Sequence, residues 1–328
     1  MNPAPMNPAP MNVVCLGVLV ADVFLPTLTR LPQAGELVAT EDFLVQTGGC
    51  AANTAVDLAR LGVKASVVGR VGDDVFGNFV RSDLGRRGVD VAGIGKASGL
   101  GTSKTVILTV SGEDRRYVHT VGANAAVRAE DLDQVSVNAG DVLYIGGYLV
   151  LPGLEPAALA ARLAAARHHG ARTVLDVVVP AGDGSGLGRL EPVLPHVDFF
   201  LPNEDEGRAL SGQEQASEQA EFFRRAGAGT VVITRGRHGA VMAAGERTTS
   251  LPAPRVEVVE ASGAGDAFAA GFIYGLIENW PLERSFAFAC VVGASACTAL
   301  GCSAGVFTPA QAEEYLATNP LRPDRASS

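Results

Sequence analysis

The chain has 328 residues, of which 47% are hydrophobic, so it can bury the core of one large α/β domain or of two small ones. Its 26 basic and 35 acidic side chains give a formal net charge of −9, and no long basic run is present. That balance excludes nucleic acid and anionic membrane surfaces as expected partners, because both attract positively charged proteins.

The five cysteines do not follow the patterns of a disulfide-bonded or zinc-binding protein. They are odd in number, form no Cys-x-x-Cys pair and have no histidine at metal spacing; they are Cys15, Cys50, Cys290, Cys297 and Cys302. No stretch of about 18 residues is apolar enough to span a bilayer, and no signal-peptide pattern opens the chain. We therefore expect reduced thiols and a cytoplasmic protein.

The N-terminal segment, residues 1–11, contains the duplicated sequence MNPAP. Its prolines disfavour helix, and its composition cannot build a core. We expect a disordered tail here and one domain over residues 12–328.

From residue 12 onward, short apolar strands alternate with alanine-rich helices. The strand candidates lie at 13–22, 65–72, 141–144, 173–178, 197–201 and 230–234, and the helix candidates include 51–62 and 154–170. This alternation predicts an α/β fold with a mainly parallel central sheet that is covered by helices on both faces.

Two segments, at about 23–47 and 100–122, interrupt that alternation. The first is rich in Leu, Val, Thr and Pro without helical period, and the second contains two β-runs joined by SGED at 111–114. They predict a small second sheet that acts as a lid and excludes water from a reaction at the carboxyl edge of the main sheet. An edge hairpin with no moving part is the alternative.

The stretch EASGAGDAFAAGF, residues 260–272, places glycines and an aspartate at the start of an apolar helix. Small residues there leave the first N–H groups of the helix open to an anion. A carboxylate at Asp266 is unfavourable beside an anion unless it has a task, such as removing a proton. The alternative is that Gly263 and Gly265 shape a turn and that Asp266 caps the helix.

Two segments resemble the signatures of the ribokinase-like, or PfkB, family of carbohydrate kinases. TGGCAANTAVDLARLGVKASVVGRVGDDVFG, residues 47–77, is similar to the first signature, and VEASGAGDAFAAGFIYGL, residues 259–276, is similar to the second. Two such matches in the expected order are far more specific than one glycine motif. The resemblance implies a three-layer α/β sandwich with a small β lid, and an ATP-dependent kinase.

The second signature implies the catalytic residues. Gly263, Ala264 and Gly265 match the family's anion hole, in which backbone N–H groups stabilise charge that develops on the transferred phosphoryl group. Asp266 matches the general base, which takes the proton from the acceptor hydroxyl.

The first signature implies the acceptor site. Asp22 stands at the family's position for holding sugar hydroxyls, and Gly48, Gly49 and Asn53 fall in its sugar-binding segment. Carboxylate and amide groups pair well with vicinal hydroxyls. From the residues alone, Asp22 also suits a strand-end turn and Asn53 a helix cap.

The sequence LPNEDEG, residues 201–207, resembles the family's NxxE motif. The resemblance implies that Asn203 contributes to ATP binding and that Glu206 holds Mg²⁺ through water, as suits a hard cation that keeps much of its hydration. The sequence TRGRHGA, residues 234–240, resembles the TxGxxG motif. There Thr234 and Gly236 would meet nucleotide phosphates, and Gly239 would allow a tight turn.

The chain departs from the family at two positions that bear on its chemistry. Glu260 stands where the family usually has Asp, which in several members helps to hold a monovalent cation together with a segment that matches about 296–305. The side chain of Glu is one methylene longer than that of Asp and places its carboxylate differently, so we expect weak or absent activation by potassium. Cys50 replaces the lysine that is common in the ribokinase sequence GGKGAN.

We interpret the chain as an ATP-dependent kinase for a primary hydroxyl of a small sugar, with Mg²⁺ as cofactor and a homodimer formed through the lid. A nucleoside kinase of the same family is the first alternative. The second is a catalytically silent sugar-binding or regulatory protein on the same fold. Retention of Asp266 argues against the silent protein.

Overall fold

The computed structural model describes residues 12–113, 116–180 and 186–323. The tail predicted at residues 1–11 lies outside the described residues, as do Asp114 of the predicted hairpin turn and the end of the predicted domain, 324–328.

A large sheet of nine strands, counted over the described residues, forms the centre of the molecule. Its strands are β1 (Asn12–Gly17), β4 (Lys64–Gly72), β5 (Ile94–Ala97), β8 (Val142–Gly146), β9 (Arg172–Leu175), β10 (Phe199–Phe200), β11 (Thr230–Thr234), β12 (Ala240–Ala244) and β13 (Arg247–Leu251). They lie in the order β13-β12-β11-β10-β9-β8-β1-β4-β5. The strands from β5 to β11 in this order pair in parallel, and β12 and β13 extend one side as an antiparallel edge.

Helices cover both faces of this sheet. They are α1 (Cys50–Arg60), α2 (Val75–Arg86), α3 (Pro156–His168), α4 (Gly186–Leu190), α5 (Glu204–Ser211), α6 (Ala216–Arg225), α7 (Ala264–Ile277), α8 (Leu282–Ala296) and α9 (Pro309–Thr318). Alternate residues of the strands enter two separate cores. In β1, Val13 and Cys15 join the core with α1, α7 and α8, while Val14 and Leu16 join the core with α3 and α6. The predicted three-layer α/β sandwich is confirmed.

Aromatic packing fixes α7 over the sheet. The ring of Phe272 on α7 meets that of Phe199 on β10 edge to face, with centroids 5.4 Å apart. Phe272 is fully buried, and burying a side chain of this size stabilises a fold by about 1.5–3 kcal/mol. The start of α7 is thereby held in a constant place relative to the strands.

The remaining strands form a small second sheet. They are β2 (Val20–Phe24), β3 (Leu44–Gly48), β6 (Lys104–Leu108) and β7 (Arg116–Thr120), in the order β3-β2-β6-β7. β6 and β7 pair antiparallel, as predicted for the hairpin, and β2 pairs antiparallel with β3 but parallel with β6.

The prediction of one strand over residues 13–22 is wrong. The chain leaves the large sheet after Gly17 and begins β2 of the small sheet at Val20. At the crossing, the Val18 N–H donates to Gly146 O at 3.2 Å, and the Leu19 N–H donates to Asn124 Oδ1 at 3.1 Å. A continuous apolar run cannot reveal this division, because both halves are buried and extended.

None of the helices in the described part of the chain is long and apolar enough to cross a membrane.

Candidate active site

Polar residues from several segments lie at the carboxyl edge of the parallel strands. Asp176 directly follows β9, Asn203 lies three residues beyond β10, and Thr234 ends β11. Asn203 and Thr234 also form an isolated parallel bridge. Because parallel strands end at one edge, segments far apart in sequence meet there.

Asp266 is joined to the acceptor segment by hydrogen bonds between α1 and α7. Asn53 Nδ2 donates to Asp266 Oδ2 at 2.8 Å, and Thr54 Oγ1 donates to the Asp266 carbonyl oxygen at 3.4 Å. Neither Asn53 nor Asp266 caps its helix, because α1 begins after Gly49 and α7 after Gly263. The helix-cap alternatives are therefore wrong, and the two signatures meet at one carboxylate.

The electrostatic environment suits Asp266 to proton transfer. Burial raises the pKa of Asp266 to about 6, while hydrogen bonds from Asn53 and Cys50 favour the charged form and Asp22 disfavours it. A carboxyl group with this pKa is ionised at neutral pH yet more basic than an exposed aspartate, so it can accept a proton from a hydroxyl as that hydroxyl attacks.

The residues before Asp266 leave the start of α7 open. Gly263 has φ 78°, in the left-handed region, and a Cβ there would lie 2.3 Å from Cys302 O. Only glycine, which has no side chain, fits that turn without strain. A Cβ on Gly265, in contrast, would meet no atom within 4 Å. No side chain at Gly265 therefore covers the first turn of α7, where N–H groups without an acceptor inside the helix can bind an anion.

Asp22 lies in the middle of β2, not at a strand end, so the strand-end turn alternative is wrong. Burial raises its pKa to about 6, and a hydrogen bond from Thr105 partly opposes this shift. A Cβ on Gly48 would lie 1.9 Å from Asp22 Oδ2. Gly48 therefore provides the room that the Asp22 carboxylate occupies, and Gly49 ends this segment at the start of α1.

Asn203 and Glu206 form a capping box at the start of α5. Glu206 N–H donates to Asn203 Oδ1 at 2.9 Å, and Asn203 N–H donates to Glu206 Oε2 at 2.9 Å. The pKa of Glu206 is raised to about 7, chiefly by burial and in part by the charges of Asp266 and Asp205, while hydrogen bonds with Asn203 oppose the shift. The box holds the Glu206 carboxylate at the carboxyl edge of the sheet with one oxygen engaged.

The predicted nucleotide loop follows β11. Gly236 begins a short 3-10 turn, Gly236–His238, and Thr234 N–H donates to Pro202 O at 3.1 Å. A Cβ on Gly239 would lie 2.0 Å from Leu251 O, so the tight turn predicted at this glycine has a steric cause.

Glu260 is 98% buried, and its Oε2 accepts the Gly301 N–H at 2.9 Å. Glu260 therefore contacts the segment 296–305 directly, as expected for the residue that replaces the family's Asp. One of its carboxylate oxygens already accepts a hydrogen bond from the backbone of that segment.

Asp176 is a candidate site residue that the sequence motifs do not include. Its carboxylate accepts a hydrogen bond from the Tyr144 hydroxyl at 3.3 Å, and burial together with the charges of Glu206 and Asp266 raises its pKa well above the usual value. The only signal in the sequence is its place near the end of the predicted strand 173–178, and β9 in fact ends at Leu175.

The carboxylates around Asp266 fit a divalent cation. Asp22, Asp176, Glu206 and Asp266 all have raised pKa values, and several of them raise one another's by repulsion. Such an accumulation of buried negative charge is stabilised by a cation. Glu206 offers the carboxylate oxygen that Mg²⁺ prefers, so it fits the predicted magnesium.

Comparison with known proteins identifies relatives along nearly the whole chain. The model of pfkB family carbohydrate kinases matches residues 11–309. A ribokinase of Haemophilus influenzae is 27% identical over 310 residues, which cover 92% of this chain and 97% of the relative. A 5-dehydro-2-deoxygluconokinase of Clostridium perfringens is 28% identical over 312 residues, which cover 90% of each.

A solved structure of aminoimidazole riboside kinase from Salmonella enterica, complexed with aminoimidazole riboside and an ATP analogue, is similar with a TM-score of 0.75 and 25% identity. The similarity covers 93% of this chain and 99% of that protein.

Proposed function

Since the chain belongs to the pfkB family of carbohydrate kinases, it is a phosphotransferase, and we propose that it transfers the γ-phosphoryl group of ATP to a primary hydroxyl of a small neutral sugar. The observation that carries this proposal is the hydrogen bond between Asn53 and Asp266. It joins the acceptor segment to the carboxylate at the open start of α7, where acceptor, base and transferred phosphoryl group must meet.

Each step of the transfer has a residue suited to it. Asp22 accepts hydrogen bonds from acceptor hydroxyls, and Asn53 orients both the acceptor and Asp266. Asp266 takes the proton of the attacking hydroxyl, and the N–H groups at Gly263, Ala264 and Gly265 stabilise the charge that develops on the phosphoryl oxygens.

A second group of residues is suited to the nucleotide and its metal. Thr234, Gly236 and Gly239 would contact the phosphates of ATP together with Asn203. Glu206 would hold magnesium through water, and magnesium when bound neutralises charge on the triphosphate.

The charge of the site favours a neutral acceptor. Asp22, Asp176 and Asp266 are partly buried carboxylates around one cleft, and a carboxylate on the acceptor would be repelled by all three. We therefore favour the neutral sugar of a ribokinase over the acid of a 5-dehydro-2-deoxygluconokinase. A nucleoside is the second candidate, supported by the similarity to aminoimidazole riboside kinase.

Acceptor-dependent release of ADP tests this function. Pentoses, hexoses, 2-keto-3-deoxy acids and nucleosides are each supplied with ATP and Mg²⁺, and initial rates are compared. We expect a neutral pentose or hexose to give a kcat/KM at least about tenfold above that of any acid. Preference for a nucleoside would select the second candidate, and preference for an acid would refute the electrostatic argument.

We propose that potassium activates this enzyme weakly or not at all. Glu260 carries its carboxylate one methylene farther than Asp would, and Gly301 N–H already binds one of its oxygens. Rates in potassium should equal those in a bulky organic cation within about twofold, and Glu260→Asp should increase the potassium effect. If potassium activates strongly and Glu260→Asp leaves that activation unchanged, Glu260 has no part in the response.

We also propose a homodimer formed through the small sheet, which acts as the lid. β7 is an edge strand, and its Tyr117 and Val118 are 60% and 62% exposed. Exposed apolar edge strands tend to pair with another chain. Sedimentation velocity should find a dimer that Val118→Lys dissociates. A parent that is monomeric at assay concentration, or a dimer that Val118→Lys leaves intact, would contradict this interface.

We place the protein in the cytoplasm, where ATP is supplied. All five cysteines are free, which suits a reducing compartment. Fractionation of the source cells tests this assignment, and recovery outside the cytoplasmic fraction would refute it.

A further inference from the structure

A thiol and two carboxylates meet at the base of the candidate active site. The Sγ atom of Cys50 and one carboxylate oxygen from each of Asp176 and Asp266 all lie within 4.8 Å of one another. The three residues come from different parts of the fold, because Cys50 begins α1, Asp176 follows β9 and Asp266 lies in the first turn of α7. All three are partly buried, so the group is not a solvated acidic surface.

Neighbouring groups orient both carboxylates and still leave coordination positions. The Tyr144 hydroxyl donates to Asp176 Oδ2 at 3.3 Å, and Asn53 Nδ2 donates to Asp266 Oδ2 at 2.8 Å. Hydrogen bonds of this kind fix ligating carboxylates around protein-bound metals and increase metal affinity. Tyr144 is fully buried, so its position is set by the core.

The donor set has a chemical preference that differs from that of the nucleotide's magnesium. Mg²⁺ takes oxygen ligands and gains little from sulfur. Zinc binds thiolate at about 2.3 Å and carboxylate oxygen at about 2.0–2.2 Å, with a tetrahedral set that three protein groups and one water complete. Tetrahedral donors at those bond lengths lie about 3.3–3.8 Å apart. The three donors lie within 4.8 Å of one another, so small side-chain movements bring them to one cation.

We propose that Cys50, Asp176 and Asp266 form a binding site for Zn²⁺ or a similar thiophilic divalent cation, and that occupation of this site inhibits phosphoryl transfer. On binding, the Cys50 S–H bond breaks, its proton passes to solvent, and the sulfur and two carboxylate oxygens replace water on the metal. No electron is transferred. The Asp266 oxygen that would accept the acceptor's proton is then held by the cation, so the base is lost.

Metal binding and inhibition depend on different properties of the site. Metal binding depends only on the three side chains. Inhibition rests on the proposed function, because it requires Asp266 to act on an acceptor.

Direct binding tests the site without any assay of activity. The metal-free protein is titrated with Zn²⁺ by calorimetry and with Co²⁺ by absorption, in which a thiolate ligand gives a near-ultraviolet charge-transfer band. Cys50→Ala and Cys50→Ser are compared with Cys302→Ala, which removes another partly buried thiol and keeps the three donors. Circular dichroism and thermal unfolding establish that each variant is folded.

We expect one Zn²⁺ per chain and a cobalt–thiolate band in the parent and in Cys302→Ala. Both Cys50 variants should lose the band and bind Zn²⁺ at least about tenfold more weakly. If the folded Cys50 variants bind Zn²⁺ as tightly as the parent, or if only Cys302→Ala loses the cobalt–thiolate band, the proposed metal site is refuted.

Kinetics test the inhibitory part. With saturating Mg²⁺ and ATP, and with the concentration of free Zn²⁺ held constant by a metal buffer, Zn²⁺ should lower the rate and an excess of chelator should restore it. A higher concentration of acceptor should relieve the inhibition where more ATP does not. Each variant is normalised to its own metal-free rate, and both Cys50 variants should need at least about tenfold more free Zn²⁺. Inhibition that ATP relieves at constant free Zn²⁺, or that the Cys50 variants retain, would refute the inhibitory role. A protein that binds cobalt through Cys50 but transfers no phosphoryl group would refute the proposed function and leave the metal site standing.

Discussion

Asp266→Asn should lower turnover by about a hundred- to ten-thousand-fold, the range expected for the loss of a general base. The amide has nearly the shape of the carboxylate, so α7 keeps its start and ATP should bind with almost unchanged affinity. What is lost is the oxygen that takes the acceptor's proton. Initial rates at saturating acceptor, with ATP affinity measured by calorimetry, check both halves of the prediction.

The pH dependence of the parent provides a readout of the two acceptor-facing carboxylates together. The pKa values of Asp266 and Asp22 are both raised to about 6, and each residue acts in its ionised form, so kcat/KM should fall as the pH drops below about 6. Asp205→Asn is the matched control for Asp266→Asn, because Asp205 is an acid at the same sheet edge whose side chain is 89% exposed.

Turnover of Asp266→Asn within about threefold of the parent would falsify the assignment of Asp266 as the general base.

Asp22→Ala should raise the KM for the acceptor strongly and leave the KM for ATP nearly unchanged. If the carboxylate accepts hydrogen bonds from two acceptor hydroxyls, each lost bond to a charged group costs about 1.5–3 kcal/mol, or about tenfold or more in affinity. ATP is spared because its predicted contacts begin at Thr234 in the large sheet, whereas Asp22 lies in the small sheet.

Gly48→Ala tests the same carboxylate without removing it. The added methyl group would lie 1.9 Å from Asp22 Oδ2 and must displace that side chain, so the acceptor KM should rise here as well. Calorimetric titration of acceptor into each folded variant separates binding from stability. An unchanged acceptor affinity in Asp22→Ala would remove Asp22 from the acceptor site.

The sequence predicted the layers of the fold because burial on both sides of a parallel sheet requires apolar strands to alternate with helices. The family resemblance implied that both signatures serve one active site, and Asn53 Nδ2 lies 2.8 Å from Asp266 Oδ2 across 213 positions of sequence. The division of residues 13–22 between two sheets was not predictable, because each half satisfies the same pattern of buried extended residues.

Details of the site depend on contacts between elements far apart in the chain, which the local sequence cannot predict. Asp176 was overlooked because the end of β9 at Leu175 is set by pairing with β8 and β10. Asp22 was placed at a strand end for the same reason, although it pairs with Thr105 within the small sheet. The proximity of Cys50 to both Asp176 and Asp266 requires three separate elements to converge.

The central claim is that this chain moves the γ-phosphoryl group of ATP onto an acceptor hydroxyl. The most direct measurement supplies ATP with an isotopic label in its γ-phosphoryl group, together with Mg²⁺ and the best acceptor of the screen, and follows the label by mass spectrometry. The account predicts that the label appears in a phosphorylated acceptor at the rate of ADP release, and that Asp266→Asn nearly abolishes the transfer. Label found only in inorganic phosphate, with every acceptor unmodified, would contradict it.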